Sequence, residues 1–241
     1  MRYAILSDIH GNLEALESVL KACRQEGARS IFCSGDIVGY GANPSECVEL
    51  IRQHKIISVA GNHDWAAIGK FSTKDFNIQA KMAIEWTENK LSQEDKCFLN
   101  DLPTIFKNTD FVMVHGTLYK PENFIYLTDI LQAQDTFYLM DRNICFVGHS
   151  HVPQIYIHTQ EKIIFSKTLT EYIDKKYKYI VNAGSVGQPR DNQPTASFCI
   201  FDPDLERVEI KRVMYDVKKA QQKILEAQLP EFLAYRLTIG Q

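Results

Sequence analysis

Five short, largely apolar runs in the first 147 residues each lead into an aspartate, asparagine or histidine. Residues 2–6 lead to Asp8 and His10, and residues 30–33 to Gly35 and Asp36. Residues 56–59 lead to Asn62, His63 and Asp64, residues 111–114 to His115, and residues 144–147 to His149 and His151. Apolar runs this short, bounded by glycine and polar residues, read as buried strands. After the first run, Leu13, Leu16, Leu20 and Cys23 recur at the spacing of one helix face, with Asn12 as N-cap and Gly27 as stop. Asn43-Pro44-Ser45-Glu46 opens a second helix that reaches about Gln53, with proline in its first turn. Strands alternating with helices argue for a parallel sheet, whose carboxyl-edge side chains meet in one crevice. Residues spread over more than half the chain are therefore expected to converge.

Residues 65–103 read differently. Helical patterns cover 76–90 and 92–100, Pro103 stops the second, and no strand is expected there. A helical insertion beside the site, with Trp65 and Trp86 in its core, is the expectation. Further strands are expected at 154–158, 162–165, 178–181, 197–201 and 208–213, and a helix at 216–228 before Pro230. The pattern predicts one α/β domain over 1–241, with two sheets and helices packed outside.

Net charge is −3, which gives no electrostatic basis for nucleic acid or an anionic membrane as partner. No apolar run approaches the roughly 18 residues of a membrane span, and the N-terminus lacks the apolar stretch of a signal peptide. The six cysteines, 23, 33, 47, 97, 145 and 199, show no CxxC spacing. Reduced structural thiols and a cytoplasmic location are expected.

Five of the seven histidines follow strand-like runs, whereas His54 and His158 do not and read as ordinary structural or solvent-facing residues. Asp8, His10, Asp36, Asn62, His115, His149 and His151 form a nitrogen and oxygen donor set without thiolate. Such a set suits Mn, Fe, Zn, Co or Ni rather than calcium or a soft metal. Four protein ligands already close a tetrahedral site, so seven point to two divalent ions sharing a carboxylate. Two ions about 3.5–4 Å apart suit hydrolysis of a phosphate ester.

Ser7-Asp8-Ile9-His10-Gly11-Asn12, Gly35-Asp36-Ile37-Val38-Gly39, Gly61-Asn62-His63-Asp64, Val114-His115-Gly116 and Gly148-His149-Ser150-His151 resemble, in order, the five motifs of the calcineurin-like metallophosphoesterases. The stretch from Asn182 to Arg190 is similar to the small prokaryotic branch of that superfamily. The resemblance implies a four-layer α/β/β/α sandwich with two mixed sheets. It implies one ion on Asp8, His10, Asp36 and His151, a second on Asp36, Asn62, His115 and His149, and Asp36 as the bridge. It further implies that hydroxide at the metals attacks phosphorus in line, without a covalent enzyme intermediate. His63 would face the phosphate without binding metal, and Asp64 would orient His63 or support the ligands.

One departure narrows the class. Protein Ser/Thr phosphatases of the superfamily carry phosphate-clamping arginines where this chain has Val38-Gly39-Tyr40-Gly41 and Ala60-Gly61. Arg190 is a candidate for the missing guanidinium, and Asn12 a second phosphate contact unless it only caps its helix. Tyr40 is expected to pack or to line the entrance, and the lysines at 167, 175, 176 and 178 to face solvent on a hairpin. The expected activity is hydrolysis of a small phosphomonoester or phosphodiester. The alternative is a non-catalytic scaffold of the same fold, which the complete ligand set and the presence of His63 disfavour.

Overall fold

The computed structural model describes residues 1–241. Three of the expected strands, β1 (Tyr3–Leu6), β2 (Ser30–Cys33) and β3 (Ile57–Ser58), lie parallel to one another. Chain order continues with β4 (Ile105–Lys107), β5 (Val112–Val114), β6 (Ile144–Val147), β7 (Gln154–His158) and β8 (Ile163–Phe165). It ends with β9 (Thr170–Tyr172), β10 (Lys178–Asn182), β11 (Ala196–Asp202) and β12 (Arg207–Val213). They form two six-stranded mixed sheets, ordered β3-β2-β1-β11-β12-β9 and β4-β5-β6-β10-β7-β8. In the second sheet, β5, β6 and β10 run parallel.

Helices cover the outer faces. Helix α1 (Leu13–Gln25) and helix α2 (Pro44–Gln53) pack on the first sheet around Leu16, Val19, Val48 and Ile51. Asn12 caps α1, accepting the Ala15 N–H at 3.1 Å. Asn43 precedes α2 as expected but makes no cap to the backbone; its amide instead donates to the Glu46 carboxylate. Short α3 (Asn62–Ala66) follows β3, and α4 (Ile78–Lys90) and α5 (Gln93–Asn100) lie in the expected helical stretch 65–103. Helix α6 (Ile130–Leu139) covers the second sheet, and α7 (Val217–Glu226) and α8 (Glu231–Ile239) pack beside α4. The architecture is the α/β/β/α sandwich with two mixed sheets.

Between the sheets lies an aromatic core. Phe111 sits edge-on to Phe32 at 5.0 Å and to Phe146 at 5.1 Å, and Tyr3 and Phe201 close the cluster. Phe32 comes from one sheet and Phe111 and Phe146 precede or occupy strands of the other, so these contacts fix how the two carboxyl edges face each other. Replacing Phe111 with alanine is expected to cost about 3–5 kcal/mol, read as a lower midpoint in urea denaturation.

Candidate metal centre

Both sheets contribute carboxyl ends to one site. The β1, β2 and β3 ends bring Asp8, His10, Asp36 and Asn62, and the β5 and β6 ends bring His115, His149 and His151. The convergence expected from a single crevice is thus a meeting of two sheet edges. Asp8, His10, Asp36, His149 and His151 all take positive φ, between +51° and +69°. That left-handed turn is uncommon for residues other than glycine, although Asp and His tolerate it better than most. It is imposed where a strand stops and its next side chains turn inward.

All seven proposed ligands are buried. They form two groups, Asp8 with His10, Asp36 and His151, and Asp36 with His115 and His149; within each group the donor atoms lie within 4.8 Å of one another. Asp36 belongs to both. Its Oδ2 is 3.6 Å from His10 Nε2 and 3.3 Å from His115 Nε2. Asn62 Oδ1 joins the second group, 3.2 Å from His115 Nε2.

The tautomers decide what fits between these atoms. His10 Nδ1 faces the Val38 carbonyl at 3.1 Å, and His151 Nδ1 faces the Gln188 carbonyl at 2.6 Å. Each Nδ1 therefore carries the proton and donates it, and each Nε2 is left with a lone pair. Those two Nε2 atoms are 3.0 Å apart, and His151 Nε2 is 3.3 Å from Asp8 Oδ1. A cation between them would remove the repulsion. A proton is a poor candidate, because burial pushes both rings well below the usual histidine range. A divalent metal fits the donor set, the tautomers and the spacing.

In the second group the two imidazoles shift in opposite directions, His149 well below the usual histidine range and His115 above it. Burial opposes a charged His115, but the Asp36 carboxylate outweighs it and raises the ring to about 9. Burial pushes Asp8 up to about 7, with the His115 charge opposing and the Asp36 charge adding to it. Both shifts report a carboxylate-bearing site shut off from solvent.

Asp64 does not touch the His63 ring. Its carboxylate accepts the backbone N–H groups of Gly61, Asp36, Ile37 and Val38 at 2.8–3.1 Å, which ties the β2 and β3 loops together. With both oxygens so occupied, the reading of Asp64 as an orienter of His63 gives way to support of the Asp36 loop. His63 is held by packing instead, with ring centroids 4.5 Å from Tyr40 and 5.0 Å from Phe76. Its Nδ1 is buried without a partner. Burial, followed by the repulsion of Arg190, lowers His63 to about 4, the Asp36 charge opposing. Gly39, at φ +91°, makes room for it: a Cβ there would meet His63 Nδ1 at 2.5 Å.

Asn12 spends both polar atoms on the backbone, Oδ1 on its cap and Nδ2 on the Gly187 carbonyl at 2.9 Å. It braces the site rather than facing it. Arg190 does reach the site's edge, where Nη2 donates to Gln188 Oε1 at 3.1 Å and to the Tyr40 hydroxyl at 3.4 Å, while Nε is buried and unpartnered. The lysines do not share a hairpin, because β8 pairs with β7 and β9 with β12 in the other sheet; Lys167, Lys175 and Lys176 face solvent as expected, whereas Lys178 donates to the Phe137 and Met140 carbonyls at the end of α6. His54 and His158 are exposed and remote.

Asn182, which ends β10, and Ser185, just after it, were not singled out individually by the sequence. Asn182 donates to the Gly148 carbonyl at 2.7 Å, and Ser185 donates to the Asp8 carbonyl at 2.8 Å. They fasten the loops that carry His149 and Asp8. The available signal was their place at the end of another parallel strand.

A family model, the calcineurin-like phosphoesterase superfamily domain, matches residues 1–206. The chain belongs to this superfamily. Its chemistry is metal-dependent hydrolysis of phosphate esters. An uncharacterized protein of Methanocaldococcus jannaschii is 45% identical over 241 residues, covering 98% of this chain and 97% of that protein. The crystal structure of a metallophosphoesterase from Sphaerobacter thermophilus is 41% identical, with a TM-score of 0.86 over 100% of this chain and 99% of that one. The phosphodiesterase YfcE of Escherichia coli K12 is 26% identical over 215 residues, 85% of this chain and 89% of that protein.

Metal should stabilise this fold. An ion that binds only the folded chain adds about 4 kcal/mol at a thousandfold excess over its Kd, which for a chain this long raises Tm by about 8–16 °C. Differential scanning fluorimetry of chelator-stripped protein before and after Mn²⁺ should read that rise. Asp36→Asn should shrink it, and the remote His54→Ala should leave it unchanged.

Proposed function

We propose that the chain hydrolyses a small phosphate ester, mono- or diester, at a centre of two divalent ions. Asp8, His10, Asp36 and His151 would hold one ion, and Asp36, Asn62, His115 and His149 the other. The observation that carries this reading is the pair of buried acceptor groups sharing Asp36. When bound, such ions lower the pKa of a water and set positive charge against phosphoryl oxygens. The nitrogen and oxygen donors suit manganese, iron, zinc, cobalt or nickel.

No protein nucleophile competes with water. The hydroxyls of Ser7, Ser34 and Ser185 are committed to Asp8, the Leu6 carbonyl and the Asp8 carbonyl. Burial pushes the Cys33 thiol well up, so it stays protonated. His63, neutral at pH 7 and without an acceptor at Nδ1, keeps its proton on Nε2 and offers that N–H to the phosphate or its leaving oxygen. Arg190, presented between Gln188 and Tyr40, supplies the guanidinium that the second and third motifs lack. Asn62 ligates without adding negative charge against an anionic substrate. The E. coli relative is named a phosphodiesterase, which supports including diesters. Six free cysteines, five of them buried, support the cytoplasmic reading.

With Mn²⁺ and an aryl phosphate ester, alanine at Asp36 or His63 should lower turnover by about 10²–10⁴-fold. Arg190→Ala should raise KM by about tenfold or more, the range of a hydrogen bond to a charged group. Undiminished turnover in the Asp36 or His63 variant would refute the mechanism.

A further inference from the structure

A pocket of 290 Å³ opens on the centre, and Asn62, His63 and His149 are part of its lining. A group departing from a phosphate on the His63 side would enter it. Half of its remaining lining is aromatic, and the rest is mostly polar, from Ser72, Asp75, Asn77 and Asn123. Phe71 stands edge-on to Phe124 at 5.2 Å and lies 6.3 Å from Phe76, and Tyr126 stacks on His149 at 3.6 Å. Ring faces and edges arranged around open space suit a planar ring, which gains from offset and edge-to-face contacts.

The wall is built with some strain. Phe124 has φ +49°, a left-handed conformation that bulky residues avoid. Gly116, next to His115, lets that loop press on the site, since a Cβ there would meet the Ile125 carbonyl oxygen at 2.6 Å. The pocket's size, at the lower end of the roughly 300–1,000 Å³ of small-molecule sites, admits about one ring system. Asp75 is the one carboxylate in the lining, so the rim disfavours a ring that carries negative charge.

We propose that this pocket receives the substrate's leaving group, and that the group is a planar aromatic or heteroaromatic ring without negative charge. The proposal rests on the phosphoesterase reading above and assigns its selectivity to residues 71–76 and 124–126.

Phenylphosphonate and methylphosphonate carry a C–P bond that ester hydrolysis does not cleave, so they test the pocket apart from catalysis. Calorimetric titration of the Mn²⁺-loaded protein should show phenylphosphonate binding about tenfold more tightly. Ser72→Trp, which fills the pocket from an exposed position, and Phe71→Leu should bring the two within about twofold without changing methylphosphonate affinity. A carboxyl group para on the phenyl ring should weaken binding, and Asp75→Asn should recover most of that loss. Equal affinities, binding of neither ligand, or a preference that survives both pocket substitutions would overturn the proposal. Turnover of phenyl phosphate and of diphenyl phosphate on the same samples separates the two readings: preference without turnover of either ester refutes the hydrolase and keeps the pocket, and turnover without preference does the reverse.

Discussion

Two imidazole nitrogens that face each other with no proton between them set the terms for this structure. His10 and His151 each spend their Nδ1 proton on a backbone carbonyl, which turns both Nε2 lone pairs into the same 3.0 Å gap beside Asp8. Hydrogen bonds alone cannot satisfy that gap, because every group around it accepts. The chain therefore folds into a shape whose electrostatics are complete only with a cation. Hydrolytic function and stability are linked through that requirement, since the charge that completes the fold is also the charge that an anionic phosphate meets.

Holding such a site together falls to groups that never face the substrate. Five of the proposed ligands sit in left-handed backbone, at about 1–3 kcal/mol of strain each. Asp64 opposes that strain by gathering four N–H groups from two loops onto one carboxylate. Asn12, Asn182 and Ser185 fasten the remaining loops to the β10–β11 turn. Below them, the Phe111 cluster keeps the two sheets in register, so the ligands from β5 and β6 meet those from β1, β2 and β3. Long-range packing of apolar rings thus positions a polar site at the sheet edge.

The sequence made this centre legible because the chemistry required particular residue types at strand ends, where short apolar runs mark the strands. It hid elements whose apolar residues fall on both faces. Helix α6 buries Ala133 and Phe137 but exposes Leu131 and Tyr138, and α8 buries Leu233 and Leu237 but exposes Phe232 and Tyr235. Neither presents the single apolar stripe by which a helix is recognised. Strands β4 and β9 span three residues each, too few for an alternation to register. Asp64 could not be assigned from its place beside His63, because consecutive residues at a helix start point to different sides; it reaches backbone, not the ring.

The pocket beside the centre shows where selectivity could change without disturbing the proposed ligands or Arg190. The ligands are locked by carbonyls and by each other, so substitutions among them damage the metal site. The guanidinium arrives from a loop after β10, and the pocket walls come from the segment before α4 and the loop before α6. Neither wall contributes a metal ligand. Related chains can therefore exchange these segments to admit a different leaving group while keeping the same two-sheet edge. In this chain, the exchangeable parts are rings, one carboxylate and a few polar side chains, and on the proposed function that composition would select the shape and charge of the departing group rather than the phosphate.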